Sequence, residues 1–135
     1  MASGVTVSDA CKTKIAELPT SLPAPNYIIF KVSDDAKSIV VADSGKTSTW
    51  GDFTAKLPAA ECRWALYNFL HGNEKDGFKY SKVFIAWTPD DVKNKIKLLY
   101  ASSKATMKGA ITGIAVEISA TISSDISYDE VVKKL

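Results

Sequence analysis

The chain has 135 residues, 46% hydrophobic and 24% charged, and a formal charge of +2. That length suits one domain, large enough to bury roughly two thirds of its unfolded surface without disulfides or metals. The weak net charge argues against a general nucleic-acid binder, which carries a stronger, clustered basic excess. There are two cysteines, Cys11 and Cys62, with no CxxC or Cys/His spacing to suggest a zinc site.

The opening residues, MASGVTVSDA, lack the charged-then-apolar pattern of a secretory signal. No apolar run approaches the ~20 residues of a membrane span. The expectation is a soluble protein of a reducing compartment.

Ser8 suits the N-cap of a first helix over about Ser8–Leu18, with Cys11, Ile15 and Leu18 on one face. Pro19, Pro23 and Pro25 then stop it and lead toward a strand. Tyr27–Val32 and Ser38–Ala42 read as strands, joined by a hairpin loop over Ser33–Lys37. A short helix fits Thr49–Leu57, closed by Pro58.

Cys62–Leu70 is a strand rich in aromatics (Trp64, Tyr67 and Phe69), and His71–Gly77 reads as a polar turn. Val83–Trp87 is apolar throughout, so it predicts a central strand with both faces covered. Thr88-Pro89-Asp90 breaks that strand and opens a long helix to about Lys108. Gly113–Ala120 is a last strand. Ser127 caps a terminal helix, with Glu130 in capping-box spacing and Lys133 and Lys134 in the final turn, where positive charge suits the dipole. The order α-β-β-α-β-β-α-β-α predicts an α/β fold of the α+β type, a mixed sheet with helices on both faces.

The long helix carries the strongest functional signal. At ~100° per residue, Val92, Ile96, Leu99, Ser103, Met107 and Ala110 form one stripe, the expected buried face. Lys93, Lys97, Lys104 and Lys108 fall on a second stripe about 60° wide, with Lys95 on the far flank. The outward face holds Asn94, Leu98, Ala101, Ser102, Ala105 and Gly109. Small residues let a partner approach closely, Leu98 can enter a pocket on it, and flanking lysines can meet carboxylates at the rim. One exposed leucine is ordinary by itself, and a lysine stripe is usually a solvated face. Their combination on one helix suits docking into a groove, without naming the partner.

The stretch WTPDDVKNKIKLLYASSKATMKG, Trp87–Gly109, closely resembles the long-helix signature of the actin-depolymerising factor/cofilin family. LPAAECRWALYNF, Leu57–Phe69, is similar to the family's preceding strand, and SGVTVSD, Ser3–Asp9, to its tail and first helix start. The resemblance spans nearly the whole chain. It implies a single ADF-homology domain over residues 1–135, a central mixed sheet of five to six strands, and a flexible tail over 1–6.

The resemblance further implies binding to monomeric and filamentous actin, filament severing or depolymerisation, and no enzymatic activity or cofactor. The implied actin-binding residues are Ser3, Gly4, Lys95, Lys97, Leu98, Lys104 and Lys108. A filament-binding surface is implied at Lys79, Lys82, Lys133 and Lys134. Tyr80, Ala105 and Gly109 depart from the family pattern, and the chain stops at Leu135, which bears on filament affinity rather than on actin binding. A monomer-sequestering form is therefore a second reading.

Ser3 matches a serine that some members phosphorylate, which would add about −1.5 to −2 charge to the tail. The lysines also suit phosphoinositide headgroups, and a lipid adaptor is a third reading. The expected setting is a monomer on the cytoplasmic actin cytoskeleton, with the nucleus left open. A cysteine hydrolase built on Cys62 and His71 is the enzyme alternative. The reading preferred to it makes Cys11 and Cys62 buried thiols, Trp64 and Trp87 core residues, and His71 a surface loop residue. The side chain of Trp50 has no assigned place.

Overall fold

The computed structural model describes residues 5–17, 27–33, 35, 37–45, 50–58, 60–75, 77–111 and 114–134. Along the chain run β1 (Thr6–Val7), α1 (Asp9–Glu17), β2 (Tyr27–Val32), β3 (Ser38–Gly45), α2 (Trp50–Thr54), β4 (Arg63–Asn73), β5 (Gly77–Trp87), α3 (Asn94–Gly109), β6 (Ile114–Ala120), a 3₁₀ turn (Ser123–Ile126) and α4 (Tyr128–Lys134). The strands form one six-stranded sheet in the order β1-β3-β2-β4-β5-β6. The outer pairs β1/β3 and β5/β6 are parallel and the inner pairs antiparallel, so the sheet is mixed.

Strand alternation divides the core in two. Ile28, Phe30, Trp64, Leu66, Phe84 and Ala86 face one side, where Cys11 and Ile15 of α1 and Tyr100 and Met107 of α3 cover them. Tyr27, Ile29, Tyr67, Phe69, Val83, Ile85 and Trp87 face the other, under Trp50 and Phe53 of α2 and Val131 of α4. Helices on both faces follow because both sides of the central strands are apolar. Val83, Phe84 and Ile85 are fully buried, as the uninterrupted apolar run predicts.

The indole of Trp50 lies in the second core. It sits edge-on to Tyr67 at 4.8 Å and to Phe69 at 5.3 Å. Its Nε1 donates to the Ile126 carbonyl at 2.7 Å, tying α2 to the turn that leads into α4. Trp64 and Trp87 are both buried, on opposite faces. Cys11 and Cys62 are buried free thiols.

Several boundaries differ from the sequence expectation. The expected polar turn over His71–Gly77 is largely strand, since β4 and β5 pair from Arg63↔Trp87 out to Asn73↔Gly77. Hydrogen bonding to a neighbouring strand sustains β structure that apolar periodicity alone does not mark. The second strand likewise runs to Gly45 rather than Ala42. β2 pairs with it from Ile39 to Gly45, with a register shift between Ile29 and Phe30. The expected flexible tail gives way by Val5, which is buried, and Thr6, which pairs with Ser38. Residues 1–4, and the proline stretch over 19–25, lie outside the described residues.

Both cap serines accept the expected bonds. Ser8 Oγ takes the Cys11 amide at 3.3 Å, and Ser127 Oγ takes the Glu130 amide at 3.4 Å. The Glu130 carboxylate faces Lys133 at 3.5 Å.

Candidate functional site

The long helix begins later than its sequence suggests. Pro89–Val92 forms a turn closed by the Val92 amide on the Pro89 carbonyl at 3.2 Å, and buried Val92 pins it to the core. Lys93 is the N-cap, with extended backbone (φ −59°, ψ 142°), so it stands before α3 rather than on its lysine stripe. From Asn94 onward the residues are mostly strong helix formers, Leu, Lys, Ala and Met.

Tyr100, Ser103 and Met107 seat α3 on the sheet, with Leu99 partly buried beside them. The helical periodicity does not mark Tyr100, which lies between the apolar stripe and the lysines. Its ring packs on Trp64 at 4.5 Å, and its hydroxyl accepts the Val32 amide at 2.9 Å. β2 pairs with β4 only as far as Phe30↔Trp64, so the phenol serves Val32 where the β4 ladder has ended. This buried bond fixes the height and rotation of α3.

Ile96, expected in the buried stripe, is 37% exposed. It sits at the edge of a groove of about 510 Å³ at the start of the helix, lined also by Lys31, Val32, Arg63 and Tyr100. Sequence periodicity counts Ile96 toward the core, and only the position of α3 beyond the end of β4 opens this groove.

The outward side of α3 is bare. Leu98 is 70% exposed, and Asn94, Ala101, Ala105 and Gly109 are exposed around it. A Cβ added at Gly109 would meet nothing within 4 Å. Ser102 is partly buried and donates to the Leu99 carbonyl at 3.1 Å. A projecting apolar side chain in a shallow field of small residues can enter a pocket on a partner without steric hindrance from its neighbours.

The flanking lysines are less uniform than their stripe suggests. Lys95 is exposed and makes no ion pair among the described residues. Lys97 turns back to donate to the Asp90 carbonyl at 2.9 Å, bracing the turn before the helix. Lys104 pairs with Glu117 of β6 at 2.7 Å, and Lys108 pairs with the same carboxylate. Hydrogen bonds from Lys104 and then Lys108 hold the Glu117 carboxyl below the usual carboxylate range. Ser3 and Gly4 lie outside the described residues.

The second expected surface draws on two elements, β5 and α4. Lys82 of β5 is partly exposed, at the register of Asn68, and Lys79 pairs with His71. Lys133 and Lys134 are exposed at the end of α4. Tyr128 lies 5.4 Å from Phe69, which pairs with Ser81, so α4 crosses the sheet beside this part of β5. Ile122, Tyr128 and Val132 add exposed apolar surface that sequence reasoning did not single out. Tyr128 and Val132 are four residues apart, a spacing that marks one helix side.

The Cys62–His71 pairing fails on geometry. Cys62 immediately precedes β4 and His71 lies nine positions along in that extended strand, roughly 30 Å away at ~3.3 Å per residue. Burial also pushes the Cys62 thiol up, away from the reactive thiolate.

Residues 4–135 match the family profile described as cofilin/tropomyosin-type actin-binding protein. The chain is 39% identical to a cofilin of Mycosarcoma maydis, covering 100% of this chain and 96% of the relative. It is 42% identical to actin-depolymerizing factor 3 of Zea mays, covering 96% and 93%. Among solved structures it resembles Streptomyces griseoflavus cofilin, with a TM-score of 0.86 and 38% identity over 97% of this chain and 96% of that one.

Proposed function

We infer that this chain, which belongs to the cofilin/actin-depolymerising-factor family of actin-binding proteins, docks α3 into a cleft on actin and promotes filament disassembly. The observation that carries the reading is the 70% exposure of Leu98 among small residues, on a helix locked in place by Tyr100. In this reading Leu98 is the apolar anchor, and Lys95, Lys97, Lys104 and Lys108 meet carboxylates at the rim. Ser3 and Gly4 lie along the same actin subunit.

Filament binding uses Lys79, Lys82, Lys133 and Lys134 on a neighbouring subunit. No bond is made or broken by the protein. Tighter binding to a twisted filament subunit than to the resting form shifts the population by that difference in affinity alone. Boundaries between decorated and bare segments then become the breakage points. A phosphate on Ser3 opposes docking by charge, and phosphoinositide headgroups compete for the same lysines. The setting is the cytoplasmic actin cytoskeleton.

Co-sedimentation with ADP-actin filaments across salt concentrations tests the reading. The protein is expected in the pellet, with shortened filaments under the microscope. Replacing both Lys95 and Lys97 with alanine, or Ser3 with glutamate, is expected to weaken binding. Monomer binding with no protein in the pellet would leave a sequestering role, which the Tyr80 and Ala105 departures favour. Liposome binding without actin binding would overturn the actin reading.

A further inference from the structure

Two lysines assigned to the docking helix already have partners inside the molecule. Lys104 Nζ lies 2.7 Å from Glu117 Oε1 and 3.3 Å from Ser119 Oγ. Lys108 Nζ pairs with the other oxygen, Glu117 Oε2. The lysines stand one helical turn apart on α3. Glu117 and Ser119 stand two positions apart on β6, the outer strand of the sheet, both exposed and so on the same side. One carboxylate therefore holds one lysine on each oxygen.

The cluster is open to solvent, with the Lys104, Lys108 and Glu117 side chains 30%, 40% and 30% exposed. Exposed pairs of this kind contribute little to folding. Their effect on the field of the docking face is larger. Two lysines alone would present two positive charges, whereas the triad presents one. Glu117 is charged at neutral pH, as an ordinary carboxylate is there, and the lysine hydrogen bonds lower its carboxyl further from the ordinary value. A partner carboxylate approaching this flank meets lysines that are accessible but half neutralised.

We propose that Glu117 is an internal counter-charge that sets how strongly this flank of α3 attracts an acidic partner, which must displace Glu117 from Lys104 or Lys108 as it docks. The inference rests on the reading of α3 as the actin-docking helix. It makes Glu117 a tuning residue that need not touch actin itself.

Stopped-flow association of labelled actin monomers with wild type, Glu117→Gln and Glu117→Asp tests the idea. Glu117→Gln keeps the shape and removes the charge. It is expected to associate about 2–5 times faster at low salt and to show a steeper salt dependence. The rates should converge near 0.3 M salt, where the screening length falls to roughly 6 Å. Glu117→Asp keeps the charge and should stay within about twofold of wild type, as a tuned field predicts. A Gln variant that associates no faster, or an Asp variant as fast as Gln, would overturn the proposal while leaving the docking reading intact. Failure of wild type to bind actin at all would overturn both. The substituted position is exposed on an edge strand, and matched thermal unfolding checks that the chains are equally folded.

Discussion

Leu98→Ala separates a docking residue from a structural one. Burying a leucine side chain completely is worth ~1.5–3 kcal/mol. Leu98 is 70% exposed in the free protein, so insertion into a partner pocket gains roughly 1–2 kcal/mol of that. Truncation should therefore weaken actin binding about 5–30-fold, at ~1.4 kcal/mol per tenfold. The fold should not notice. Alanine is the better helix former, and a mostly exposed side chain contributes within about ±0.5 kcal/mol. Fluorescence titration of labelled actin monomers, with thermal unfolding of the same preparation, measures both quantities. Leu99→Ala is the matched control, because Leu99 packs partly against the core, and it should lose stability instead. Binding by Leu98→Ala within twofold of wild type would show that no partner pocket receives this side chain.

Tyr100→Phe removes the acceptor of the Val32 amide. A buried donor left unpaired costs ~1–3 kcal/mol, so the melting temperature should fall by roughly 3–10 °C for a domain of this size. An unchanged melting temperature would mean that the bond does not hold α3 to the end of β2. Glu117 predicts a pH dependence of stability. Its carboxyl is held below the ordinary value of 4.5 in the fold, so the folded chain binds fewer protons there than the unfolded one. The resulting stabilisation is present above 4.5 and is lost as pH falls through the lower folded value. Melting curves of wild type and Glu117→Gln should differ slightly at neutral pH and converge in acid. A gap that widens in acid would contradict the ion pairing.

Much of the fold was readable from local pattern. The apolar run Val83–Trp87 announced a central strand, and Tyr27–Val32 coincides with β2. Ser8 and Ser127 marked their helices, because an N-cap is a contact between near neighbours in sequence. The outward side of α3 was equally legible. At 3.6 residues per turn, fixing the apolar stripe also fixes what points away from it.

The rest depended on residues distant in sequence. The Thr6–Val7 strand is too short to declare itself and exists because β3 offers an edge. The polar ends of β4 and β5 are strand because each supplies the other's hydrogen bonds. Trp50 found its place only through Ile126, 76 positions away, and Tyr100 through Val32, 68 positions away. Glu117, within the strand expected over Gly113–Ala120, is the shared partner of two lysines only because β6 lies beside α3. Periodicity states which way a side chain points from its own backbone. What it meets there, and hence whether a lysine is free to greet a partner, is decided by the packing of one element against another.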